Sequence, residues 1–357
     1  MQGLLAAAAA ALLIAGTSPR ASQTNGNPLA FSDDQLAGAR VITGFPGHNP
    51  SPALRRMITA GQISGVILFD DNVGGRRSVR RLTAELQSIP RPAASPPLLI
   101  TVDQEGGLVR RLPGPPKPSA RSIGALGAGF AERLGRATGE SLRSMGVNVD
   151  LAPVLDLGRP GRAIFDEGRT FARKPGAVSR IGVGFARGLA AGGVAATAKH
   201  FPGLGAARIN TDNAVQRIRL PAAKLRRNDE RPFASFVRAG GAMVMLGTAI
   251  YPALSGKPAA LSRAIATGEL RDRLGFSGVS ITDALGSVSA RAVGGPSRTA
   301  VAAAAAGTDL VLYTSLGDAA KAQGALAAGL RDDTLGRAEF EQSVSRVLAL
   351  RAGLATQ

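Results

Sequence analysis

Ionisable residues stand where apolar runs end. Ile281-Thr282-Asp283 closes one run, Ala198-Lys199-His200 a second and Thr101-Val102-Asp103-Gln104-Glu105 a third, while a fourth leads into Pro153-Val154-Leu155-Asp156. Only 19% of the residues are charged, so charged ends on three runs exceed ordinary loop polarity. In Val279–Asp283 the alternation of an extended chain puts residues 279, 281 and 283 on one face. Asp283 thus continues an apolar line, as a nucleophile or charge stabiliser does. The competing role is a helix N-cap, common for Asp. Lys199 and His200 point to opposite faces unless the strand curls or ends, and Phe201-Pro202-Gly203 supplies that break. A lone His beside an apolar run is commonly a satisfied core residue. The adjacent Lys argues otherwise, because its buried charge needs an anion. In Asp103-Gln104-Glu105-Gly106-Gly107 the paired glycines admit close backbone approach to a ligand. The plain alternative is a βα turn with a solvated acid.

The available chemistry is carboxylates plus a Lys-His pair. With no Cys in the chain, disulfides, thiolate zinc sites and cysteine nucleophiles are excluded. Two His leave no multi-histidine metal set, so neither metal nor cofactor is expected. No Gly-x-Ser-x-Gly elbow supports a serine triad. Carboxylate-driven glycoside hydrolysis fits this inventory: one Asp attacks or stabilises the sugar carbon while another group protonates the leaving oxygen.

Those residues need a frame that brings distant strand ends together. Eight β-rich runs are legible, at 41–45, 65–69, 98–103, 147–152, 194–200, 242–246, 279–283 and 309–313. Helical periodicity separates them at 79–87, 131–145, 178–191, 222–239, 261–274 and 298–306, and a last helix falls at 337–352. Gly192-Gly193 and Gly240-Gly241 each stop a helix just before a strand. Alternating strands and helices imply parallel pairing. The count suggests one closed (β/α)8 TIM-type barrel, with room for irregularity in the first strands, whose active site lies at the strand C-termini. An open doubly wound sheet is the alternative. It wants a glycine-rich fingerprint after the first strand, where Gly44-Phe45-Pro46-Gly47 does not fit. No repeat or linker marks a second folded domain in residues 28–357.

The chain has 357 residues and 45% hydrophobic composition, enough for a full core. Its charge of +18 raises the question of a polyanionic partner. Along the sequence the Arg are scattered, no basic run reaches five, and twelve Phe and two Tyr offer little base stacking. No specific nucleic-acid partner is expected; attraction to an anionic cell wall fits better. Residues 1–27 read as a signal peptide-like segment and linker. An apolar run from Leu4 to Ala15, too short to span a bilayer, precedes polar Gly16-Thr17-Ser18. The expectation is export to the cell wall, periplasm or medium, with no membrane span in the mature chain. A disordered extension on a cytoplasmic protein is the alternative.

Six motifs then share an order. Gly65-Val66-Ile67-Leu68-Phe69, Asp103-Gln104-Glu105-Gly106-Gly107-Leu108-Val109-Arg110-Arg111, Ala152-Pro153-Val154-Leu155-Asp156, Gly168-Arg169-Thr170-Phe171, Lys199-His200-Phe201-Pro202-Gly203 and Gly278-Val279-Ser280-Ile281-Thr282-Asp283 follow one another over residues 35–350. In order and spacing the chain resembles glycoside hydrolase family 3, in particular its single-domain bacterial β-N-acetylhexosaminidases. The resemblance implies a barrel and a retaining, two-step mechanism on a GlcNAc-containing glycan, by a monomer. It makes Asp283 the nucleophile. It makes Asp103, Arg111, Arg169, Lys199 and His200 the residues that hold sugar hydroxyls. The departures are specific. The family's Asp-Ser-His loop reads Asn210-Thr211-Asp212 here, so Asp212 stands at the acid/base His and Asn210 at its orienting Asp. Leu108 and Leu204 replace polar residues, Thr248 stands where a His is frequent, and His48 is the one His left over. Three readings stay open: Asp212 is the acid/base, the acid function is weak, or the barrel binds wall glycan without turnover. A β-glucosidase or xylosidase activity is open as well.

Overall fold

The computed structural model describes residues 31–355. The signal-like segment and its boundary at residue 27 lie outside them. Among the described residues no helix is long and apolar enough to cross a membrane.

Eight parallel strands form the barrel: β1 (Val41–Thr43), β2 (Gly65–Leu68), β3 (Leu99–Val102), β4 (Val149–Asp150), β5 (Ala195–Phe201), β6 (Met243–Leu246), β7 (Val279–Thr282) and β8 (Val311–Tyr313). They neighbour one another in chain order, and β1 pairs with β8 through Val41↔Val311. The bridge Ile281↔Leu310 closes β7 onto β8. All eight expected runs are strands of this barrel. The first three pair without a slip, and the one shift in the barrel falls between Ala198 and Phe201 in β5.

Alternation sets which side chains fill the barrel. Ile42, Ile67, Leu99, Val149, Ala195, Met243, Ile281 and Leu312 form one buried cluster inside it. The outward residues, such as Ile100, Val102, Ala196, Val244 and Leu246, pack under the helices. Each large apolar side chain buried in this way contributes about 1.5–3 kcal/mol.

The helix at Pro175–Ala191 starts on a proline, whose missing N–H costs nothing there. It lies against Ala128–Arg143 so closely that a Cβ on Gly135 would sit 2.3 Å from the Phe185 carbonyl oxygen. Two expected helices differ in the structure. The stretch 222–239 is broken into Ala222–Lys224, a π-helical turn Leu225–Asp229 and Arg231–Arg238, because Pro232 restarts the helix. The stretch 261–274 is π-helical over Ala264–Arg273. Helices at Asp33–Gly38, Pro52–Thr59 and Leu316–Arg331 join the frame.

The turn after β3 is a second departure. Gln104–Gly106 and Val109–Arg110 pair as a short antiparallel ribbon. Gly106 and Gly107 have φ of 96° and 60°, the left-handed region that glycine enters without a Cβ clash. A Cβ on Gly106 would lie 2.3 Å from the Pro118 carbonyl oxygen, so the site is closed to other residues.

Candidate active site

The strand C-termini surround a cavity of about 530 Å³. Asp103, Arg111, Arg169, Lys199, His200, Asp212 and Asp283 all line it, so the structure brings together every site residue expected from sequence.

The floor is a charge network. Lys199 donates from Nζ to Asp103 Oδ1 at 2.5 Å, and its Nζ lies 2.6 Å from Glu105 Oε1. Arg169 grips Glu105 with Nε and a terminal nitrogen, at 2.8 and 2.9 Å, and holds Glu167 with the other. Burial works to raise the Glu105 pKa, but Arg169 and Lys199 outweigh it and hold the carboxyl at about 2. Burial likewise works against the Lys199 cation, yet Asp103 and Glu105 push its pKa above the ordinary value. The ammonium is therefore locked on, with a third N–H for a ligand oxygen. Asp103 gives one oxygen to Lys199 and keeps the other for a hydroxyl.

His200 is fixed from behind. Its Nδ1 is 2.7 Å from Asp156 Oδ2, and the fully buried Asp156 also accepts from the Leu204 N–H at 2.5 Å. A carboxylate only accepts, so Nδ1 carries the proton and Nε2 is left for the cavity. The ladder shift at the end of β5 lets both Lys199 and His200 line one cavity.

Asp283 follows β7, with Val279 and Ile281 below it in the barrel interior, as alternation requires. It is not a helix N-cap: Ser287 caps the next helix, Val288–Arg291, accepting from the Ala290 N–H. The Asp283 carboxylate accepts from the Ala284 N–H at 2.8 Å. Asp212 arrives on the loop after β5, which is docked on the chain after Asp283. Val288 and Ser289 donate their N–H groups to the carbonyls of Asp212 and Thr211, each at 3.3 Å. Asn210 accepts from the Asp212 N–H at 3.0 Å, an Asx turn that holds the loop tip. Asp212 is exposed at the cavity lip; partial burial of its carboxyl and then the Asp283 charge raise its pKa.

The departing positions also have places. Leu204 and Leu108 line the cavity, with Leu108 76% exposed at the ribbon tip. Thr248 is buried and accepts from the Ser287 hydroxyl at 3.3 Å, bracing the loop after Asp283. His48 is exposed outside the cavity lining. Arg111 lines the cavity and meets Asp70 at 3.1 Å. Among the described residues no cluster of three His, Asp or Glu is arranged to hold a metal.

Sequence reasoning missed four acids. Glu105, given no role of its own in the sequence, is buried because the ribbon folds it under Arg169. Glu167 shares that arginine. Asp156, which the sequence shows only as the acid a fourth run leads into, is the partner of His200. Asp150 is buried in β4, and burial pushes its carboxyl well up; it accepts from the Gln104 N–H and so pins the ribbon beneath Asp103. The available signal was the place of Asp150, Glu105 and Asp156 in or shortly after the strands β3 and β4; nothing of the kind marks Glu167.

Carboxylates, cations and an oriented imidazole converging on the C-terminal mouth of a (β/α)8 barrel define a glycoside hydrolase. Residues 19–350 match the glycosyl hydrolase family 3 N-terminal domain, and the chain belongs to that family. It is 38% identical to an uncharacterized secreted glycosyl hydrolase of Arthroderma benhamiae, over 89% of this chain and 93% of that one. A solved family 3 β-N-acetylglucosaminidase from a Paenibacillus species superposes with a TM-score of 0.87 at 34% identity, over 91% of this chain and 63% of the longer relative. A β-N-acetylhexosaminidase from Beutenbergia cavernae gives 0.80 at 30%, over 90% and 98% of the two chains. The protein is thus a β-N-acetylhexosaminidase-like glycoside hydrolase acting on carbohydrate.

Proposed function

We propose that the protein is a retaining exo-glycosidase that removes terminal β-linked GlcNAc residues from peptidoglycan- or chitin-type glycans. The observation that carries this reading is the pair Asp283 and Asp212 facing one cavity, with partial burial and then the charge of the first raising the pKa of the second.

Asp103, Lys199, Arg169, Arg111 and His200 hold the sugar hydroxyls, orienting the anomeric carbon over Asp283. A carboxylate of Asp283 attacks that carbon while Asp212, protonated, gives its proton to the glycosidic oxygen; the C–O bond breaks and the aglycone leaves as an alcohol. Asp283 is then an ester and neutral. The charge that raised Asp212 is gone, so its pKa falls and it becomes the base. It takes a proton from water, whose oxygen attacks the anomeric carbon, and Asp283 departs as a carboxylate. The ground-state charge of Asp283 thus prepares the acid, and its esterification prepares the base. In the closed form the two carboxyl groups come to ~5–5.5 Å, the retaining separation.

The protein works as an exported monomer. Support for export comes from the apolar run Leu4–Ala15 and from the secreted relative.

A 5-fluoro-GlcNAc-type inactivator, which keeps the 2-acetamido group, with a good leaving group tests the reading. Mass spectrometry of the intact and digested protein is expected to show one sugar on Asp283 and none on Asp283→Asn. An unlabelled Asp283 in protein that turns over substrate rejects the mechanism. Turnover of an aryl glucoside or xyloside in preference to the aryl N-acetylglucosaminide rejects the sugar.

A further inference from the structure

Scattered along the sequence, the arginines are gathered by folding. On the helix Arg76–Ser88, the pairs Arg76-Arg77 and Arg80-Arg81 fall within an arc of about 140°, opposite the buried Val79, Leu82 and Leu86. All four are exposed. Arg77, Arg80 and Arg81 form no ion pair among the described residues, and the one acid of the helix, Glu85, is taken by Arg55. Arg76, Arg77 and Arg80 line a recess of about 540 Å³ with Ser144 and Met145.

This face runs into the catalytic mouth. Arg76 donates to Pro113 O at 3.2 Å, and Arg110 of the ribbon donates to Gly114 O at 3.3 Å. A Cβ on Gly114 would lie 3.4 Å from Arg76. The chain neighbours of Arg110, Val109 and Arg111, line the cavity. Five guanidinium groups therefore form one band, ending at the mouth. Uncompensated like charges at this spacing repel, and an anion relieves them. The planar guanidinium fork matches phosphate or carboxylate. No aromatic residue lies on the helix to stack a base, and no large apolar side chain is exposed on it to enter a lipid surface.

We propose that this band binds an anionic polysaccharide, its phosphate or carboxylate groups seated on Arg77, Arg80 and Arg81, and so presses the catalytic mouth against the glycan embedded in that polymer. The binding stands on the charge band alone; its use in presenting substrate rests on the glycosidase reading.

The test is equilibrium binding of the full chain to polygalacturonate and to a phosphomannan, with dextran, duplex DNA and phosphatidylglycerol vesicles alongside, at ~50 and ~200 mM salt. Binding to at least one of the two anionic polysaccharides and not to dextran is expected; which of them binds assigns the anion. R77E/R80E/R81E should weaken it by roughly tenfold or more and flatten its salt dependence. Turnover of p-nitrophenyl N-acetyl-β-glucosaminide and the melting temperature should stay at the parental level. The charge-matched R133E/R187E/R298E, placed elsewhere on the surface, should bind nearly as the parent does. R77Q/R80Q/R81Q gives the same readout with less change in charge if the first variant folds poorly. The proposal falls if neither polysaccharide binds, if the charge-matched variant loses as much, or if DNA or vesicles bind as tightly as the better polysaccharide. A parent that binds polymer yet cleaves no aryl glycoside rejects the glycosidase reading and leaves the band intact.

Discussion

Two buried charge clusters sit at opposite ends of one barrel and differ in how full they are. At the N-terminal end Asp309, just before β8, is fully buried. Its carboxylate accepts from the Ser280 N–H and hydroxyl, from Arg271, and twice from Arg346. Arg40 adds bonds to the carbonyls of Thr308 and Asp309 and stacks on Phe340 at 4.1 Å. These bonds run across the seam between β7 and β8, so the cluster clasps the barrel shut. At the C-terminal end Asp103 and Asp283 keep an oxygen, Lys199 an N–H and His200 its Nε2 turned to a cavity. Burial and charge are common to both ends. Unspent hydrogen-bonding capacity facing open space is what separates a site from a clasp.

The sharpest way to break that contrast is to neutralise one acid at each end. Asp283→Asn should lower turnover on the order of 10⁴-fold or more, with little change in urea stability, because its carboxylate is half-exposed and bonded only to a backbone N–H. Asp309→Asn should do the reverse. It leaves Arg271 and Arg346 facing a neutral group in the interior, so about 3–5 kcal/mol of stability is lost while kcat per folded molecule holds. Denaturant titrations beside kinetics on both variants read this directly. A stable, inactive Asp309→Asn would erase the distinction.

This contrast also marks what the sequence could say. Asp283 and Asp309 both border β-rich runs, and only the rule that strand C-termini carry the chemistry tells them apart. Short apolar, β-rich runs located all eight strands because that signal is local, and the glycine stops at 192–193 and 240–241 agreed for two of them. Glu105 and Asp156 escaped for the opposite reason: their partners, Arg169 and His200, lie 64 and 44 residues away. Nothing near Asp156 in the chain announces an imidazole. Asn210 shows the same limit from the other side. By alignment of motifs it is a lost orienting acid, whereas in space it holds the Asp212 backbone.

Asp212 offers the next test, at the open end alone. Asp212→Ala should cut cleavage of a GlcNAc disaccharide by about 10²–10⁴-fold. It should cut cleavage of a dinitrophenyl glycoside far less, since that leaving group departs without a proton. The sign of the pH effect follows from the raised pKa. As acid, Asp212 works while protonated, so parental kcat/KM falls as pH rises through that raised value, and the alkaline limb for the disaccharide should vanish in the variant. Equal losses on both substrates would mean that the loop closes the cavity and gives no proton.

The smallest effect asks whether the mouth, for all its openness, also supports the fold. Glu105 is held at about 2 in the native protein against an ordinary value of 4.5. Its folded pKa is depressed, so its contribution is complete above the unfolded value and is lost as pH falls through the folded one. Between about pH 4.5 and 2 the unfolded chain binds a proton that the native protein refuses, and one such proton tilts stability by up to ~1.4 kcal/mol per pH unit. Glu105→Gln removes that proton. Its stability, lower than the parent's at neutral pH because Lys199 and Arg169 lose a counter-charge, should fall less steeply in this window, and the two curves should converge toward pH 2. Parallel curves in urea titrations across the window would mean that Lys199 and Arg169 find other anions once Glu105 is gone. The mouth would then be able to redistribute its charges, which the filled clasp around Asp309 has no room to do.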